Sequence, residues 1–430
     1  MKEEKTNFAL CYSWFSLMRL IASASIITLI LLAHSPKAGA ESVADSLLFA
    51  ENHVMEDSAK GELRLNIDNI CFFRDNEYEG NLAKGYTLPG FWIRPTVGYQ
   101  PLKNLKVEIG AYMLHYWGAS KYPNLNYSDM PKWKGSQTQR GFHVLPFLRA
   151  QVALSDKVNL VVGSIYGHGN HRLIEPLYTQ ELGLQGDPEA GVQLLLDLKR
   201  LDLDMWINWE SFIYDGDDHQ ESFTYGLSAR VKANGETKRF HVYFPVQLLF
   251  QHRGGEINDE AEDREVRTWI NGAIGGGMLI NVGNQVLRDI NFEVLGAFYS
   301  QRSGTLLPFD DGYGIYAKGD INLWRFNIGA GWWWCKDFVS IHGNPLFGCM
   351  SISEDGFVVD KTRLIKLHAD YCQPIAKGFS LGISADAWNS LPADAHDSEG
   401  FLIRQSNALS LSFGVYLRIN PSFLLKKFGR

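Results

Sequence analysis

The chain has 430 residues, with 41 Lys and Arg against 48 Asp and Glu, and a formal net charge of −7 at pH 7. This acidic balance argues against a nucleic-acid binder, whose footprint is basic. Aromatic residues make up 13% and charged residues 21%, which excludes extensive disorder, because disordered chains carry fewer aromatics and more charge. The composition therefore indicates a folded protein for most of its length.

The first element in chain order is an export signal. Residues 20–33 form a long apolar block that follows three basic residues, and Ala38-Gly39-Ala40 comes after it as a small-x-small cleavage site. The block has 14 residues, whereas a membrane-spanning helix needs about 20. We therefore interpret residues 1–40 as a signal peptide cleaved after Ala40, and we expect residues 41–60 to form a periplasmic lead-in.

From Gly61 onward, apolar residues alternate with polar or small ones, as Leu409, Leu411 and Phe413 do with Ser410 and Ser412. This period of two predicts strands with one apolar and one polar face. Sixteen such segments can be counted: 61–73, 90–100, 105–118, 139–154, 158–168, 189–199, 201–214, 222–233, 238–252, 266–281, 288–302, 311–323, 325–337, 360–373, 378–390 and 403–419.

Strand length and turn length together indicate a barrel. Each segment has eleven or more residues, about double the usual strand of a soluble protein and enough to cross a bilayer when tilted. Connections after even-numbered strands are short, whereas those after odd-numbered strands are mostly long. We predict an all-β fold, a single closed antiparallel transmembrane β-barrel of about 16 strands over residues 61–420, with short periplasmic turns and long extracellular loops. Residues 421–430 are expected to be a C-terminal tail.

Aromatic residues gather at the strand ends, with Trp209 and Trp332 near long loops and Tyr99 and Phe240 near short turns. In these patterns the chain resembles bacterial outer-membrane β-barrel proteins of the porin type. The resemblance implies the outer membrane of a Gram-negative bacterium, contact with its lipid and lipopolysaccharide, and a homo-oligomer such as the trimers common among porins. The chain departs from the family in not ending on an aromatic residue. A soluble β-sandwich or propeller is the alternative, but its strands would be shorter and its turns unsorted.

If the apolar side chains of each strand face lipid, the side chains at the alternate positions face inward and place charges of both signs in the lumen. A barrel of about 16 strands is wide enough for water, so we predict a channel for passive diffusion of small hydrophilic solutes, without a cofactor. A lumen plugged by loops and salt bridges is the alternative. The charges predicted to set selectivity are Lys106, Glu108, Arg149, Asp204, Arg230, Glu293, Lys318, Asp320 and Lys366.

Two long loops carry further candidates. Cys335 and Cys349 could form a disulfide at loop 338–359, although the four cysteines of the exported chain allow three pairings. In loop 119–138, aromatic side chains could stack on sugar rings and make the barrel a surface anchor for polysaccharide, although mutual packing is the favoured interpretation. These aromatics are Tyr122, Tyr127 and Trp133.

An enzyme is not the favoured prediction, but one group of residues supports it as an alternative. His171, Glu210 and His252 lie at the predicted outer ends of adjacent hairpins, where histidine and carboxylate side chains can activate water. The chain contains no GxSxG, HExxH or zinc-ligand spacing, so no metal site is predicted. A rim hydrolase is therefore the weaker alternative to the channel.

Overall fold

The computed structural model describes residues 48–117, 143–214, 219–255, 265–284 and 286–429, together with the backbone of 120–121 and 138–139. Sixteen strands form one closed antiparallel barrel, as predicted. They are β1 (Glu62–Glu77), β2 (Tyr86–Leu102), β3 (Leu105–Tyr116), β4 (His143–Ser155), β5 (Val158–Ser164), β6 (Ala190–Asp197), β7 (Leu201–Ser211), β8 (Ser222–Lys232), β9 (Phe240–Arg253), β10 (Arg267–Asn281), β11 (Leu287–Ser303), β12 (Asp311–Leu323), β13 (Phe326–Lys336), β14 (Lys361–Ala376), β15 (Phe379–Ser390) and β16 (Ala408–Ile419).

Each strand pairs with its neighbours in sequence, and the barrel closes where the upper part of β1 pairs with β16. A further strand, β17 (Ser422–Lys427), pairs with the lower part of β1. The residues predicted as a tail thus continue the last strand beyond Pro421, whose carbonyl oxygen accepts a hydrogen bond from the backbone N–H of Ile67. The sequence did not predict this strand, because the segment is short and its pairing partner, β1, lies at the other end of the chain.

Smaller elements lie at the long-loop end. Val358–Val359, Ala393–His396 and Leu402–Gln405 form a three-stranded sheet. The predicted segment 403–419 is therefore divided between this sheet and β16. Ser120–Lys121 pairs with Thr138–Gln139. No helix in the described part of the chain is long and apolar enough to cross a membrane.

The apolar side chains of alternate strand positions face outward. Ile109 on β3 and Ile274 on β10 are each 61% exposed, and Leu411 on β16 is 47% exposed. An apolar band of exposed side chains is expected on the lipid-facing surface of a membrane barrel. Tyr166, which follows the end of β5, is buried in the interior.

The interior of the barrel is occupied by protein. Residues 48–60 extend up into it from the short-turn end, and the loops 165–189 and 337–360 fold into it from the other end. The large side chains of Trp206, Trp333 and Trp388 pack with residues of these loops in one buried apolar cluster. Among the described residues, the lumen is therefore filled where the sequence predicted an aqueous channel, and the plugged alternative fits better.

Candidate functional site

The segment before β1 lies inside the barrel, where one of its carboxylates contacts two arginines. Glu51 lies 2.7 Å from the guanidinium of Arg94 on β2 and 2.9 Å from that of Arg149 on β4. Burial raises the pKa of Glu51, but the positive charges of Arg149 and Arg94 outweigh it and hold the pKa well below its usual range. The prediction of a periplasmic lead-in is thus wrong for this part of the segment, because two buried arginines require a counter-charge.

Further contacts hold this segment, most of them polar and one apolar. Asn170 donates from its side-chain amide to the Glu51 carbonyl, and its amide oxygen accepts from the Glu51 N–H. Gln151 donates to the carbonyl of His53, and Leu48 packs against Gly382 on β15. We refer to residues 48–56 as the inner segment.

Loop 165–189 docks on the inner wall of the barrel through two further carboxylates. Glu181 accepts from Arg74 on β1 at 2.9 Å and from Asn76 at 3.0 Å. Glu175 pairs with Lys366 on β14 and accepts from the indole N–H of Trp388 at 3.2 Å. Acidic residues of the loop therefore neutralise basic side chains of the wall.

His171 lies at the centre of a buried polar cluster in the same loop. Its Nδ1 is 2.7 Å from Asp204 and its Nε2 is 2.8 Å from Glu189. The ring stacks on the indole of Trp206 at 3.5 Å. Burial lowers the pKa of His171, but the charges of Glu189 and Asp204 outweigh it and raise the pKa to about 9. A charged imidazolium with both nitrogens donating is a structural cation and has no lone pair to accept a proton.

The three predicted hydrolase residues do not come together. His171 is buried in the interior, and Glu210 accepts hydrogen bonds from Ser222, Thr224 and Gln251. His252 occupies the opposite face of β9 from Gln251, where its ring packs with Phe223 and Phe250. The alternation of side chains along β9 therefore separates His252 from the other two.

A different histidine–carboxylate pair stands at the long-loop mouth of the lumen. His143 Nε2, at the start of β4, is 2.7 Å from Asp187 Oδ1, and the two side chains are 23% and 31% exposed. Tyr112 donates to the carbonyl of Gly186 and Tyr116 to that of Leu184, so two buried phenols of β3 fix the backbone before Asp187. Sequence reasoning missed this pair because its members are 44 residues apart and lie in no recognisable motif.

The charges predicted to line the lumen all lie on the inward parity and have protein partners. Lys318 pairs with Glu293 at 3.1 Å, as does Lys106 with Glu108. The other contacts follow the same pattern: Arg149 with Glu51 and Glu108, Asp204 with His171, Arg230 over the ring of Tyr243, Asp320 with His368, and Lys366 with Glu175 and Asp386. Their placement agrees with the predicted parity, while a role in selectivity stays a prediction.

The remaining sequence candidates have different outcomes. Cys335 and Cys349 are brought together, with their sulfur atoms 3.5 Å apart, and both are free thiols in the structure. Tyr122, Tyr127 and Trp133 lie outside the described residues, so the glycan-binding loop stays a prediction. No group of three or more His, Cys, Asp or Glu side chains suited to a metal ion occurs in the part of the chain that the structure describes.

A closed barrel with an apolar outer face and a polar interior defines the class: the chain is an outer-membrane β-barrel protein. Residues 55–428 match the model of the family described as lipid A 3'-O-deacylase-type, and the chain belongs to that family.

Solved structures similar to the chain are also outer-membrane proteins. OccAB1 of Acinetobacter baumannii is 11% identical with a TM-score of 0.46, and the match covers 87% of this chain and 100% of that one. OprD of Pseudomonas aeruginosa is 12% identical with a TM-score of 0.43, covering 87% and 98%. OmpT of Vibrio cholerae is 8% identical with a TM-score of 0.44, covering 83% and 99%. No curated protein matches the chain.

Proposed function

We propose that the protein hydrolyses an acyl ester of a lipid A-type glycolipid, with His143 and Asp187 as the general base and its orienting carboxylate. The pairing of His143 with Asp187 at the mouth of a filled barrel carries this proposal, and membership of a deacylase-type family supports it. A filled interior does not favour passive passage of solutes through the lumen. We therefore place the functional site at the long-loop mouth of the barrel.

The geometry of the pair defines its chemistry. An ionised carboxylate only accepts hydrogen bonds, so Nε2–H of His143 donates to Asp187 and Nδ1 carries the lone pair. Nδ1 takes a proton from a water molecule as the water oxygen attacks the ester carbonyl carbon. The C–O bond to the sugar then breaks, and the imidazolium returns the proton to the sugar oxygen, giving a free fatty acid and a hydroxyl group. Asp187 stabilises the transient imidazolium in this reaction.

Mass spectrometry of lipid A from cells that express the full chain tests the proposal. We expect the native protein to remove one acyl chain, His143→Ala to abolish the loss, and Asp187→Asn to slow it by roughly 10²- to 10⁴-fold. His252→Ala is the matched control, since His252 lies on the outer face and should leave activity unchanged. Intact lipid A with the native protein, or full activity in His143→Ala, would overturn the proposal.

A gated channel is the second candidate, favoured by the polar character of the segment that fills the lower lumen. Apart from the apolar contacts of Leu48 and Phe49, the inner segment is held by hydrogen bonds and by the ion pairs of Glu51, contacts that water can replace. Displacement of this segment would expose the charged wall and open a path for small hydrophilic solutes. The conductance of a Glu51 variant tests this candidate.

A further inference from the structure

Three basic side chains stand together on the outer surface at the long-loop end of β13 and β14. Lys336 ends β13, and Lys361 and Arg363 begin β14. The side chains of all three point outward, since those of the adjacent residues Cys335 and Thr362 are buried in the interior. We call these three residues the outer basic patch.

The patch places like charges in direct opposition. In the antiparallel register, Lys336 faces Lys361 and Trp334 faces Arg363. The side chains of directly opposed residues begin about 4.5–5.5 Å apart, and like charges at this distance destabilise a sheet. The arrangement therefore has a cost in stability that a bound anion would relieve.

The protein itself supplies little compensating charge. Lys336 has the adjacent Asp337 at 3.6 Å, and Arg363 donates to the carbonyl of Pro392. Asp360 is engaged by His396 at 3.3 Å. Among the described residues, Lys361 has no ion pair within 4.0 Å. Most of the interior charges described above, in contrast, have an ion-pair partner, so the outer patch differs from the rest of the charge distribution.

The surroundings of the patch place it at the height of lipid headgroups. Trp334 lies level with Arg363 and Trp332 lies below the patch on β13. Tyr313 on β12 faces Lys336 and packs on Trp334 with ring centroids 5.6 Å apart. Ile365 and Leu367 continue the same face of β14 toward the centre of the barrel wall and are exposed. Aromatic residues above an aliphatic band mark the membrane interface in such barrels.

We propose that the outer basic patch is a binding site for the phosphate group of an outer-leaflet glycolipid. Charge complementarity supports this occupant: an anion at the end of an acyl-chain lipid would reach the three basic groups while its chains lie against the aromatic and aliphatic residues below. The site is separate from the His143–Asp187 pair, because β15, β16, β1, β2 and β3 lie between β14 and β4 around the wall. It goes beyond the proposed function, since lipid binding here requires no hydrolysis.

Binding of lipid A to the folded full chain in detergent tests the inference, measured by native mass spectrometry with phosphorylated and dephosphorylated lipid A. The variant combines Lys336→Gln, Lys361→Gln and Arg363→Gln. The matched control removes the same charge at exposed positions of the short-turn end and combines Lys157→Gln, Lys199→Gln and Lys377→Gln.

We expect the native protein to prefer phosphorylated lipid A, the patch variant to bind it at least about tenfold more weakly, and the control to bind normally. Equal binding by patch variant and native protein, or no preference for the phosphorylated lipid, would overturn the inference. Full competition by inorganic phosphate would also overturn it, because the site would then take a free anion rather than a lipid. The same comparison of patch and control variants in the His143→Ala background should give the same ratio of affinities, so loss of the hydrolase proposal leaves this inference testable.

Discussion

A single buried histidine illustrates how this barrel tolerates charge in its interior. His171 contacts two carboxylates at hydrogen-bond distance and an indole face at 3.5 Å, so its cation is both paired and shielded. The group is therefore part of the packing that holds loop 165–189 inside the lumen, and its chemistry is structural.

The pKa values of this cluster predict a pH window for its contribution to stability. The pKa of His171 is raised from 6.5 to about 9, so its contribution is complete below about 6.5 and is lost as pH rises through about 9. The pKa of Glu189 is held below its usual 4.5 because the attraction of His171 outweighs burial, so its contribution is complete above 4.5 and is lost in acid. The cluster should stabilise the fold between these limits.

Replacement of His171 by alanine should therefore lower the free energy of unfolding in a pH-dependent way. At pH 7 we expect a loss of about 3–5 kcal/mol, because two buried carboxylates lose their partner. Urea unfolding of the refolded barrel in detergent at pH 7 and pH 10 measures it, and the difference from the native protein should narrow at pH 10. His252→Ala is the control with no such effect. A pH-independent loss would contradict the assignment of a charged His171.

A glycine next to this cluster makes a second prediction at the same scale. Gly226 on β8 lies beneath the ring of Trp206, and a β-carbon there would come 2.1 Å from the indole. Gly226→Ala must displace the indole from His171, and we expect it to destabilise the fold by about 1–3 kcal/mol. Gly276→Ala is the matched control, because nothing lies within 4 Å of its β-carbon. Equal urea midpoints for the two variants would show that the indole moves without cost.

At the scale of elements, the inner segment is the part of the molecule with the most direct bearing on permeability. Its anchoring rests on Glu51, whose removal leaves Arg94 and Arg149 without their shared counter-charge. The loss of one partner from a buried charge pair costs more than the pair contributed, because the remaining charge stays buried.

Glu51→Ala should therefore increase the single-channel conductance of the protein in planar bilayers relative to the native chain. The native protein is expected to show small conductance steps, because its lumen is filled by the inner segment and two loops. Glu56→Ala is the control, since the Glu56 side chain is exposed at the short-turn end of the inner segment and, among the described residues, its carboxylate accepts a hydrogen bond from Ser58 alone. Large steady conductance in the native protein, or unchanged conductance in Glu51→Ala, would contradict a gate at this segment.

The strands themselves could be predicted from the sequence because their signal is local. The alternation of apolar and polar residues around Leu411 predicts a strand and also shows which of its faces contacts the membrane. The predicted bounds of β12, residues 311–323, agree with the structure. The predicted strand boundaries were wrong where pairing depends on residues far away in the sequence. Residues 403–407, for example, are divided between a small sheet and a connection.

The filling of the lumen could not be predicted from the same pattern. Charged side chains that face inward require polar partners. Water and a charged protein segment can both provide such partners for Arg94 or Lys366, so the pattern does not distinguish between them. The acidic partners Glu51, Glu175 and Glu181 lie in connections without periodicity. The one available signal was Leu47-Leu48-Phe49, an apolar triplet in a segment assigned to water, and Leu48 is indeed buried.

For the whole molecule, the seam between β1 and its partners β16 and β17 has a consequence for how the protein is built. Asp68 and Arg418 form an ion pair across this seam although 350 residues separate them. Until the seam forms, both margins of the sheet carry backbone groups that hydrocarbon cannot satisfy. Insertion into the membrane and joining of the first and last strands must therefore be coupled. This joining is a late step with a large entropic cost, and it cannot proceed one hairpin at a time.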